Sequence, residues 1–109
     1  MAKGDFTHDA CDAAKYERFP MFKNENSEIV MINWPAGVKS LPHDHGDSRG
    51  VVTVLCGEVF QEVFSRDTKK FIKRTTHKAG EILIEGKDEI HIMGNASLSK
   101  KAQTLHIYS

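Results

Sequence analysis

An excess of charge of either sign is missing from this chain. Fifteen Lys and Arg offset fifteen Asp and Glu across 109 residues. That balance argues against a general nucleic-acid binder, whose footprint is a basic surplus. Long apolar runs are missing as well, since none approaches the roughly 20 residues that span a bilayer as a helix. The first fifteen residues, MAKGDFTHDACDAAK, contain no apolar stretch of the kind a secretory signal needs. Cysteine is scarce, at Cys11 and Cys56 only. Two thiols are too few for a disulfide-built scaffold, and a cytoplasmic location with reduced thiols is the simple expectation. No internal repeat or low-complexity tract is present. What is present is ordinary: 39% hydrophobic and 28% charged residues, enough for one domain, residues 1–109, around one core.

The pattern along that domain is β. Glu28 to Trp34 (EIVMINW) is a β-rich run before the turn Pro35-Ala36-Gly37. Val51 to Leu55 is short and β-branched. Glu58 to Ser65 (EVFQEVFS) is expected to form a hairpin with that run or with the next, Phe71 to His77, across the polar turn Arg66 to Lys70. Glu81 to Ile84, Glu89 to Met93 and Gln103 to Tyr108 complete the set, with Gly94 to Lys101 read as a polar loop. Seven or eight short strands at intervals of about ten residues predict an all-β, antiparallel sandwich or barrel. The exception is Asp9 to Arg18, DACDAAKYER, rich in helix formers and capped by Asp9. It predicts a short helix or turn that Pro20 stops.

The stretch from Gly37 to Gly57, GVKSLPHDHGDSRGVVTVLCG, carries the chemistry. His43 and His45 stand two residues apart, and Pro42 favours an extended approach by Leu41. In extended backbone, alternate side chains leave one face, so both imidazoles point the same way and Asp44 points away. Neutral imidazole is the commonest metal ligand, and two at this spacing make half a site. His91 is the candidate third ligand. His8 and His77 read as packed or surface residues, Asp44 and Asp47 as solvated or turn-capping, Trp34 as core, and Cys56 as a small buried apolar residue. The final strand places Thr104, His106 and Tyr108 at alternate positions.

Gly37, five residues, His-x-His, and then six residues between Gly50 and Gly57 resemble the first motif of the cupin superfamily. Gly80, His91 and Asn95 resemble the second in part. The resemblance implies a small antiparallel, jelly-roll-like barrel with a metal at one end. Many cupins carry a glutamate ligand where this chain has Gly50, so the site offers three histidines and no carboxylate. Trp34 to Ser48 (WPAGVKSLPHDHGDS), Thr104 to Ser109 (TLHIYS) and Tyr16 to Arg18 (YER) resemble the signatures of cysteine dioxygenase-type thiol dioxygenases, especially the short bacterial form. That resemblance implies iron(II) on His43, His45 and His91, and conversion of cysteine or a similar small thiol to its sulfinate with dioxygen. It also implies that Arg18 clamps a substrate carboxylate. Tyr108 would act at the metal, oriented by His106, which Thr104 orients in turn. Some family members join a cysteine at the Gly50 position to the tyrosine, a bond that glycine cannot make.

Three imidazoles also suit zinc, nickel, manganese or copper. Two other functions therefore stand beside the dioxygenase: a small metal-binding cupin without turnover, and a cupin enzyme of other chemistry on another divalent metal. The expected partners are a small thiol and dioxygen, with neither nucleic acid nor membrane. Uncovered strand edges make a homodimer an expectation too.

Overall fold

The computed structural model describes residues 16–44, 49–86 and 88–109. They form eight strands: β1 (Glu17–Lys23), β2 (Glu28–Trp34), β3 (Gly50–Cys56), β4 (Glu58–Ser65), β5 (Phe71–Lys78), β6 (Ile82–Glu85), β7 (Glu89–Asn95) and β8 (Ala102–Tyr108). All pairings are antiparallel. One sheet has the order β1-β2-β8-β3-β6 and the other β5-β4-β7. No helix among the described residues is long and apolar enough to cross a membrane.

The all-β expectation holds, and the strand runs fall where the sequence pattern puts them, within a residue or two. The expected helix or turn at Asp9 to Arg18 needs correcting. Asp9 to Lys15, like His8 and Cys11, lies outside the described residues, while Glu17 and Arg18 belong to β1. Pro20 does not end an element; it sits inside β1, opposite Val30. An edge strand tolerates proline because one of its sides needs no ladder donor. The hairpin of Glu58 to Ser65 forms with the later run, since β4 pairs β5 and β7 but not β3.

Paired residues on neighbouring strands face the same side of a sheet. Beyond the buried pair Trp34 and Ala102, this gives three further inward rows in the five-stranded sheet. Ile32, Thr104 and Val54 form one; Val30, His106, Val52 and Leu83 form the next; Glu28, Tyr108, Gly50 and Glu85 form the third. The first two rows are apolar apart from β8, and with Val59 and Met93 of the opposite sheet they make the core. Each such aliphatic side chain contributes about 1.5–3 kcal/mol on burial. The third row is polar and closes one end of the sandwich. The core alternation thus carries the inward residues of β8 directly into the functional end.

Candidate metal centre and the relay beside it

Two backbone bridges bring His43 to His91. Residues 38–43 lie along the edge of β7 that β4 does not use. Ser40 N–H donates to the Met93 carbonyl at 2.7 Å, and Asn95 N–H to the Val38 carbonyl at 2.9 Å. His43 and His91 exchange a pair of bonds at 3.0 and 2.8 Å. The register shifts by one residue between the Lys39–Gly94 and His43–His91 bridges. Pro42 has no N–H to offer in that stretch, and the Ser40 hydroxyl accepts from Met93 N–H at 3.1 Å. Gly94 permits the approach, for a Cβ there would lie 2.5 Å from Lys39 Cβ and 2.8 Å from Lys39 Cα.

The two imidazole rings stand 6.4 Å apart between centroids. His43 Nδ1 lies 3.0 Å from the Leu41 carbonyl oxygen, which can only accept, so Nδ1 carries the proton. His91, fully buried, has its Nδ1 3.0 Å from Gln61 Oε1 and is held as the same tautomer. With Nδ1 so engaged, Nε2 is the nitrogen that either ring would present to a metal. His91 Nε2 faces the Gly86 carbonyl oxygen at 3.3 Å and Glu89 Oε1 at 3.9 Å. The imidazoles of His43 and His91 are the kind of donor a divalent metal takes, which makes this end of the sandwich a candidate metal centre. Among the described residues no three His, Cys, Asp or Glu side chains converge on one point. The expected third imidazole, His45, lies outside those residues. A hollow of about 270 Å³ beside Gly86 and Glu89 is bounded further by Arg49, Ile84 and Asp88.

On the facing sheet a line of hydrogen bonds runs with one sense. Trp34 Nε1–H, which can only donate, donates to Thr104 Oγ1 at 2.9 Å. The Thr104 hydroxyl then gives its own proton to His106 Nε2 at 2.7 Å. His106 is left protonated on Nδ1, which donates to the Tyr108 oxygen at 3.0 Å. The Tyr108 hydroxyl hydrogen-bonds to Glu85, and the phenol is the donor. Glu85 is 1% exposed, with Oε1 3.9 Å from His106 Nδ1. Burial, and then the Glu85 charge, push the Tyr108 hydroxyl far above the ordinary phenol range; Arg18 offsets part of this, and Glu28 adds to it. Gly50 makes the room, because a Cβ there would lie 2.7 Å from Glu85 Oε1 and 2.9 Å from Tyr108 Cε1.

The structure thus brings together His43 with His91, and Thr104 with His106 and Tyr108. Arg18 pairs with Ile32 and so shares the inward face, where its charge reaches Tyr108. Its guanidinium holds Glu28 at 3.3 Å and is half exposed. Three residues escape a reading of motifs. Gln61 fixes His91, Trp34 donates into the relay as well as filling core, and Glu85 sets the relay's sense by accepting from Tyr108. Glu85 carried a signal, being a carboxylate in phase with the core residue Leu83. Asn95, from the second motif, has a structural part: its side-chain amide donates to the Trp34 and Lys100 carbonyls at 2.9 and 2.6 Å. His77 is partly buried on the inward side of β5, paired with the core residue Val59, and contacts the Thr75 hydroxyl at 2.8 Å, whereas Cys56, expected to be buried, is exposed at the end of β3.

Two facing antiparallel sheets, with histidines and a tyrosine meeting at one end, define a cupin-type protein. Solved structures agree on the fold. A Thermus thermophilus protein matches at a TM-score of 0.75 and 22% identity, over 89% of this chain and 85% of that one. A Thermotoga maritima protein described as a predicted oxalate decarboxylase matches at 0.69 and 17%, over 85% and 78%. The cupin domain of Schizosaccharomyces pombe Cnp3 matches at 0.75 and 13% over 86% of this chain, which spans only 64% of that domain's length. The family model for cysteine dioxygenase type I matches residues 5–109. The chain belongs to that family.

Proposed function

We propose that this protein is a thiol dioxygenase that converts cysteine or a similar small thiol to its sulfinate. The observation carrying this reading is the directed line from Trp34 to Glu85 through Thr104, His106 and Tyr108, set across from the His43–His91 pair. His43, His45 and His91 would hold iron(II), which when bound supplies the centre where thiolate and dioxygen meet and exchange charge. The net reaction adds both oxygen atoms of dioxygen to sulfur.

The chain's own groups do the positioning. Tyr108 is a neutral phenol with its proton directed to Glu85, so its oxygen is fixed by His106 before substrate arrives. Such preset geometry removes the cost of ordering the group during reaction. Arg18 meets the substrate carboxylate. Its exposed pair with Glu28 is worth only a few tenths to about 1 kcal/mol, so exchanging one carboxylate for another costs little. The dry surroundings of His91 and His106 keep water from the reacting thiol.

The test loads the protein with iron(II) without air and follows oxygen uptake with cysteine and with 3-mercaptopropionate. Metal at one per chain, uptake only with thiol, and sulfinate as product are expected. Bound metal without uptake for either thiol would leave a binding cupin, and turnover without oxygen would point to other chemistry. Arg18→Ala should raise KM for thiol carboxylates about tenfold or more and leave thiols lacking a carboxylate unaffected. Arg49→Ala, at the hollow's rim, serves as the comparison.

A further inference from the structure

The outward face of the five-stranded sheet is apolar across all five strands. One outward row runs Phe22, Ile29, Ile107, Val51 and Ile84. The next runs Phe19, Met31, Leu105, Thr53 and Ile82. The β-bulge between Pro20 and Phe22 keeps Phe22 in this phase; without it the ring would turn inward. Ile82 and Ile84 are 62% and 60% exposed, and Phe22 is 50% exposed. Only the third row is polar, with Gln103 donating to Asn33 at 2.8 Å and Asn33 to Glu17 at 3.4 Å.

Together the apolar rows expose on the order of 600 Å² of apolar surface, the upper limit for the largest patch on an ordinary monomer. A stable interface buries about 800 Å² on each partner, most apolar at its centre and polar at its rim. The two rows and their polar border have that size and that arrangement.

We propose that this face is the interface of a homodimer, in which two copies pack sheet on sheet about a two-fold axis running along β8. The sheet itself selects that axis. β8 is the central strand of five, so a rotation about it lays β1 of one copy over β6 of the other. The aromatic side chains of β1 then meet the exposed isoleucines of β6, twice by symmetry. Rows also keep their level along the strands, so apolar rows meet apolar rows and the polar rows meet at the rim. An axis perpendicular to the strands would reverse the rows and set polar against apolar. Each interface residue appears twice in such an isologous contact, and the two inward-facing sites look away from each other.

The test is sedimentation and light scattering on the full chain from 1 to 200 µM. A mass of twice 12.3 kDa is expected. Ile107→Glu puts a charge against its own copy near the axis and should weaken the dimer about 100-fold or more. Ile84→Glu should act in the same direction away from the axis. Circular dichroism must show the strand signal retained in both, since both side chains point outward. A wild-type monomer at 200 µM overturns the proposal. Such a monomer that binds an apolar dye would assign the exposed face to another protein. A dimer that persists in both folded variants also overturns it.

Discussion

Tyr108 is the residue on which the site's chemistry and the protein's stability meet. Its hydroxyl is held above the ordinary phenol range in the folded state, first by burial and then by Glu85. The unfolded chain gives up that proton near the ordinary value of about 10. Below it both states hold the proton and the native state has its full advantage. As pH climbs above about 10, only the unfolded chain ionises, so stability falls. Urea titrations at pH 8.5, 10 and 11 should show this loss, and Tyr108→Phe should remove most of it. An unchanged decline in the variant would assign the effect to other groups, Tyr16 among them, whose hydroxyl burial also raises. Gly50→Ala tests the same corner sterically. Its methyl meets Glu85 and Tyr108 inside 3 Å, so a loss of about 1–3 kcal/mol is expected from overpacking. A wild-type urea midpoint would mean that the ring has room to give way. Trp34→Phe removes the N–H that donates to Thr104 and also takes volume out of a buried core side chain. The Tyr108–Glu85 bond still orders the far end, so nitrogen chemical shifts of His106 should keep the Nδ1-protonated tautomer in this variant, whereas Tyr108→Phe should move them toward a mixture. A cost of about 2–5 kcal/mol accompanies Trp34→Phe, because a buried acceptor loses its donor and a core cavity opens.

At the scale of elements, the irregular segment before β3 is the one most open to experiment. Residues 38–43 carry His43 to His91 by main-chain bonds along β7, and Gly94 sets how closely they approach. Gly94→Ala should push Lys39 away from β7 and shift His43 with it. Metal affinity, read by titration with zinc as a spectroscopically silent probe, should fall about tenfold or more, with stability down by about 1–3 kcal/mol. The strands themselves were legible in sequence because period-2 alternation is local: EIVMINW and QTLHIY state their inward residues outright. β1 was not legible, because its helix-forming approach and Pro20 speak against a strand, and only its place at an edge makes proline acceptable. The partition into sheets was not legible either. That β4 leaves β3 for β5 and β7 depends on pairings far apart in sequence, which no local pattern encodes. At the site, the histidines and the Thr-His-Tyr row announce themselves by spacing. Glu85 offers only its phase with Leu83, and at the end of a strand it reads as a terminus rather than as the end of a relay.

For the whole molecule, a bound metal would be linked to the fold. A ligand that binds only the native state at 100 times its dissociation constant adds about 2.7 kcal/mol of stability. Adding a chelator to the loaded protein should therefore lower Tm by several degrees, and His91→Ala should abolish the difference. An equal Tm with and without chelator in the wild type would separate the histidines from any metal. The strand order carries a further consequence. β8 follows the other seven strands in the chain, yet it lies at the centre of its sheet, between β2 and β3. Its bond from Trp34 to Thr104 spans 70 positions. Until β8 inserts, β2 and β3 have no partner between them, and the two halves of the sheet are open edges. Closing so long a loop before any reward is slow, placing folding in the range of milliseconds to seconds. During that interval the unfinished sheet presents unpaired backbone to other chains. The strand that completes the chemistry also ends the period of greatest aggregation risk, so refolding yield should fall with protein concentration far more steeply than the stability of the finished fold would suggest.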